Sequence, residues 1–187
     1  MARPFLDYAR AKGFRETTVK RFLSLEEGAQ RAVAAIVVPL KASENHVRDM
    51  LDWLEEICLR DGVAIDELLS REAFAAIMGD ARLGRSDKLK RVKEELRRIR
   101  FPRLSWVEGE IARRIRALKL DPRTEMTVPK GLEGGWLAVQ LRARSQDELK
   151  RLLAVLSEAA ATGEVREIFT LIANGGLEEP QTGNGTI

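Results

Sequence analysis

Residues 5–24, FLDYARAKGFRETTVKRFLS, hold two short helical patterns joined at a glycine. A helix-turn-helix needs a small residue in the first helix where the second crosses it, and Ala9 stands there. It needs a glycine at the turn, where φ is positive, and Gly13 follows four residues later. It needs apolar side chains facing inward from the second helix, and Val19 and Phe22 lie one turn apart. The second helix then exposes Arg15, Glu16, Thr17, Thr18, Lys20 and Arg21. Short hydroxyls and long cations at the start of such a helix suit base edges and phosphates. We therefore expect Arg15, Thr17, Thr18, Lys20 and Arg21 to contact DNA. A helical hairpin with a glycine turn and no DNA role fits the same pattern.

Outward from this segment, helical patterns continue to residue 101. The first helix is expected over 4–12, with Pro4 in its first turn, the second over 16–25, and a third over 26–38, closed by Pro39. Ser43 is the expected N-cap of a helix over 44–60, with Val47, Met50, Leu51, Leu54, Ile57 and Cys58 on its apolar stripe and Gly62 behind it. Shorter helices are expected at 65–69 and 71–78. Ser86 opens a long basic helix, SDKLKRVKEELRRIR, that ends before Phe101-Pro102. Its cations (Arg85, Lys88, Lys90, Arg91, Lys93, Arg97, Arg98 and Arg100) leave two readings open: a phosphate-tracking face or a solvated connector.

Beyond residue 102 the pattern changes. Ser105 and Glu108 form a capping-box signature for a helix ending near Leu120. TEMTVPK alternates, GLEGG is turn chemistry, and WLAVQLRA alternates again, which together predict a hairpin. Ser145 and Glu148 form a second capping box for a helix through about Ala160, and a last helix covers 164–173. The expected fold is mainly α: a helical helix-turn-helix domain over 1–101, then a small α-β-β-α unit over 103–173. Residues 174–187 read as a flexible tail. A lone two-stranded sheet is marginal. It either packs on its own two helices or pairs with a second copy through Met126, Val128, Trp136, Leu137, Val139, Leu141, Leu149 and Leu152. Arg142, Arg144 and Lys130 add a second basic patch on the hairpin.

The totals agree with a helical protein. The 187 residues are 44% apolar, 33% charged and only 5% aromatic, with a formal net charge of +3. So small a net charge makes the distribution of charge, not its sum, the argument for nucleic acid. One cysteine, Cys58, excludes an internal disulfide framework, and one histidine, His46, excludes a histidine-based metal site. The N-terminus lacks the apolar core of a secretory signal, and no apolar run is long enough to span a bilayer. A cytoplasmic, nucleoid-associated protein with no membrane contact, no cofactor and no enzymatic activity is expected.

GFRETTVKRFLSLEEGAQRAV resembles the recognition helix and following helix of ParB-type partition proteins. In SENHVRDML, residues Ser43, His46, Arg48 and Leu51 are similar to that family's Ser–x–Gly–His–Ala–Arg–x–Leu segment, with Asn45 in place of the glycine and Val47 in place of the alanine. The helix–hairpin–helix unit and SQDELKRLL resemble the family's dimerisation domain. The resemblance implies sequence-specific binding of double-stranded DNA by a homodimer, a role in chromosome or plasmid partition, and a partition ATPase as a further partner. It also implies that His46 and Arg48 belong to the DNA-binding site. The family's CTP-binding segment, with its Gly–Glu–Arg–Arg motif, has no counterpart in these residues, so CTP is not expected as a cofactor. A transcription regulator built from the same parts, or a helical protein–protein adaptor, is the alternative.

Overall fold

A computed structural model describes residues 3–174. The proposed tail from Gly175 onward lies outside the described residues. The chain divides into two compact units, Met1–Arg100 and Phe101–Ile187.

The first unit is entirely helical among its described residues: α1 (Arg3–Lys12), α2 (Glu16–Leu23), α3 (Glu27–Val37), α4 (Glu44–Asp61), α5 (Ile65–Leu69), α6 (Glu72–Gly79) and α7 (Arg85–Arg100). Gly13 adopts φ +68° between α1 and α2, a conformation that costs a side-chain-bearing residue about 1–2 kcal/mol. The turn returns Phe14 N–H to the Ala9 carbonyl at 2.9 Å. One core joins the seven helices. Phe5 and Ala9 of α1, Phe22 of α2, Val33 and Val37 of α3, Val47, Leu51 and Leu54 of α4, Leu68 of α5, Phe74 of α6, and Val92 and Leu96 of α7 are all buried in it. The Phe5 and Phe22 rings stack with centroids 3.7 Å apart, and Phe14 meets Phe5 edge-on at 6.2 Å. Tyr8 Oη donates to the Ala42 carbonyl at 2.7 Å, tying α1 to the turn before α4.

The ends of α4 follow the sequence signals. Ser43 Oγ accepts from His46 N–H at 3.5 Å, and Gly62 closes the helix with φ +67°. Against α4 lies α7, held by more than its apolar stripe. Lys93 pairs with Asp49 at 2.8 Å and Arg100 with Glu56 at 2.6 Å. Both cations flank the half-buried Trp53 ring, Lys93 Nζ at 5.2 Å and Arg100 Cζ at 5.9 Å from its centroid. Arg60 donates to the carbonyls of Ile99 and Arg100, closing the C-terminal end of α7. The basic helix is thus more than a solvated connector, and its Arg85, Lys90, Arg91 and Arg98 remain exposed. It is a core helix of the first unit, with Lys93 and Arg100 neutralised by carboxylates of α4.

The second unit contains α8 (Pro102–Ala117), β1 (Thr124–Thr127), a short 3-10 turn over 130–132, β2 (Ala138–Leu141), α9 (Gln146–Ala160) and α10 (Gly163–Ala173). The strands pair antiparallel, with Thr124 opposite Leu141 and Met126 opposite Val139. Val107 and Ile111 of α8 pack with Leu132, Ile168 and Ile172. Arg114 anchors α8 to α10 through Glu164 at 2.8 Å and through Glu167. The expected cap at Ser105 does not form. Pro102 opens α8 one turn earlier, with Ser105 already inside it. Glu108 instead reaches the hairpin turn, accepting from Gly131 N–H at 2.9 Å. Half of the second capping box forms: Ser145 Oγ accepts from Glu148 N–H at 3.1 Å, while the Glu148 carboxylate reaches one residue past the N-cap and accepts from Arg144 N–H.

Candidate nucleic-acid interface

Five of the seven residues expected to meet DNA line one cleft. Arg15, Thr17, Thr18 and Arg21 of the α2 segment and Arg48 of α4 enclose about 260 Å³. Arg15 is the N-cap residue of α2, and its side chain makes no capping bond. Glu44, in the first turn of α4, caps α2 instead. Its Oε1 accepts from Arg15 N–H at 3.2 Å and from Thr18 Oγ1 at 2.7 Å. The Thr18 hydroxyl, then the Arg15 amide and the Arg15 and Arg48 charges, hold the Glu44 carboxyl below the ordinary carboxylate range. A depressed folded-state pKa stabilises above the ordinary range, so this cap persists at neutral pH and is lost as pH falls through the depressed value.

The structure corrects two of the expected contacts. Thr18 is 3% exposed and its hydroxyl is committed to Glu44, so it positions α2 and does not face a ligand freely. Arg21 is half-buried and clamped. Its Nε and Nη2 meet the two Glu55 oxygens at 3.0 and 2.8 Å, and Nη1 meets Asp52 at 2.5 Å. The Glu55 hydrogen bond is the first cause that pushes this guanidinium further up. Arg21 therefore joins α2 to α4. Arg21→Ala should destabilise the unit by about 1 kcal/mol or less, since both partners are solvated. A denaturant-midpoint change of several kcal/mol would show that the clamp is far stronger than its exposure allows.

Arg15, Thr17, Lys20 and Arg48 remain exposed. Lys20 pairs along the helix with Glu16 at 2.8 Å, a fully solvated contact of little strength. His46 turns away from α2: its Nδ1 faces Lys93 Nζ of α7 at 3.3 Å. The sequence offered no sign of Glu44, Asp52 and Glu55 as partners of α2, because they follow it by some thirty residues and look like ordinary solvated acids. Cys58, also on α4, is half-buried, and burial pushes its thiol pKa up.

In the second unit, the residues expected at a dimer surface divide. Leu152 and Met126 are buried within the protomer, so neither belongs to an open surface. Val128 and Leu137 pack against the Val107–Ile168 cluster and are half-buried. Trp136, Val139 and Leu149 are exposed, and the structure adds Trp106, Leu153, Val155 and Phe169 to them. Leu149 and Leu153 lie one turn apart on α9, with Leu152 pointing inward between them.

Among the described residues no helix is long and apolar enough to cross a membrane, and no three histidine, cysteine or acidic side chains cluster as metal ligands do. No protein-family model, curated protein or solved structure matches the chain.

Proposed function

We propose that this chain binds duplex DNA sequence-specifically, as a homodimer, in the manner of ParB-type partition proteins. The observation that supports it most is the convergence of Arg15, Thr17 and Arg48 at the front of a helix whose back is fixed by Phe22, Thr18 and Arg21. The helix that would enter the major groove is held at its back by α1 and α4, and the side chains that would touch DNA project from its first turn and from the start of α4. Self-association is supported by the exposed apolar side chains of the second unit. Trp136, Leu153 and Phe169 are each about half exposed, at 53%, 47% and 48%. A two-fold dimer would read an inverted repeat.

Capture of genomic fragments by the purified chain at moderate salt, followed by sequencing, tests the reading. One enriched inverted repeat is the expected result, and its position near an origin or a promoter separates partition from transcription control. Even coverage from a folded protein, with no steep salt dependence of binding, would favour a protein–protein adaptor instead.

A further inference from the structure

Resting on the DNA-binding reading, we propose that the cleft between α2 and α4 seats one backbone phosphodiester, held by Arg15, Thr17 and Arg48, with Glu44 as a built-in counter-charge.

The cleft is lined by three guanidinium groups and two hydroxyls. They are not equivalent. Arg21 is matched by Asp52 and Glu55, and the Thr18 hydroxyl is held by Glu44. Arg15 and Arg48 have no carboxylate within ion-pair distance among the described residues, and the Thr17 side chain has no hydrogen-bond partner there. Two free guanidinium groups and a free hydroxyl offer fork-shaped donors, the geometry that suits phosphate oxygens.

Glu44 sets the charge of the site. Its carboxylate already occupies the Arg15 amide and the Thr18 hydroxyl, which would otherwise be open to an anion at the start of α2. An incoming phosphate therefore meets side chains, not the helix end. Across the whole cleft, the three arginines are balanced by Glu44, Asp52 and Glu55. The phosphodiester is therefore held locally by the two guanidinium groups without an ion pair, Arg15 and Arg48, and Glu44 is the acid that weakens their hold. A phosphate contact positions a protein on DNA without reading sequence. The cleft thus fixes the register of α2, and base reading falls to the outer side chains of that helix.

The test uses the full chain, a duplex carrying its enriched site, and a scrambled duplex. Arg48→Ala should weaken both by a similar factor, about tenfold, and reduce the salt slope by about one. Glu44→Gln keeps an oxygen for the Arg15 amide and the Thr18 hydroxyl while removing the charge, and should tighten both duplexes by about threefold. A purely structural Glu44 would give unchanged or weaker binding, which overturns the counter-charge. Loss confined to the enriched site in Arg48→Ala places that arginine on a base and overturns the seat. If the wild type binds neither duplex, the DNA-binding reading fails by itself. Inorganic phosphate followed by amide NMR then decides the cleft. Saturable shifts at Arg15, Thr17 and Arg48 keep it as an oxyanion site, and their absence removes it.

Discussion

Phe22→Ala is expected to destabilise the first unit by about 3–5 kcal/mol, a large part of what a domain of this size possesses. The Phe22 side chain is fully buried, stacked on Phe5 at 3.7 Å. Truncation removes the stacking on Phe5 and leaves a cavity in the core that the seven helices share. Trp53 is the one tryptophan of the first unit, so its fluorescence in a Trp106→Phe, Trp136→Phe background reports this unit separately. A midpoint change equivalent to less than about 1 kcal/mol would mean that the aromatic stack contributes far less than its burial implies. DNA binding should disappear with the fold, whereas Arg48→Ala should weaken binding and leave the midpoint in place.

Leu149→Asp combined with Leu153→Asp should weaken self-association by at least about a hundredfold, because each aspartate would have to be buried unpaired in an apolar contact. Both side chains already face solvent in the protomer, 40% and 47% exposed, so the helical content should not change. Leu152→Asp differs by one position and should unfold the unit, since Leu152 is buried. Sedimentation velocity across a micromolar dilution series reads the first outcome and far-ultraviolet circular dichroism the second. A wild type that is monomeric throughout, or a double variant that associates unchanged, would remove α9 from the dimer surface.

The legible parts of this sequence are those whose causes are local. Gly13 and Gly62 stand where the chain needs positive φ, and Ser43 and Ser145 stand where the first amides of a helix need an acceptor. Each signal lies within a few residues of its effect, and the corresponding helix ends fall where the spacing predicts. Ser105 misled because two start signals compete within four residues, and a proline at the first helical position prevails over a serine three places later. Burial on α2 was harder to read. Thr18 looks like a surface hydroxyl until Glu44 is brought beside it, and Arg21 looks like a free cation until Asp52 and Glu55 are. The same limit applies to α7, two of whose cations, Lys93 and Arg100, are answered by acids on a helix some forty residues earlier. Periodicity reports which face of a helix is polar. It does not report which distant charge that face will meet.

The α4 helix carries Asp49, Asp52, Glu55 and Glu56 outward to cations on its neighbours, whereas the second unit presents tryptophan, phenylalanine and leucine to its surroundings. Dissolved ions act oppositely on these two kinds of contact. Screening loosens the paired charges around α4, while an excluded salt such as sulfate strengthens apolar association. The two halves of the chain are therefore tuned to different solutes. On the proposed reading, a rise in salt would leave apolar self-association in place while the charge-dependent hold on DNA relaxes.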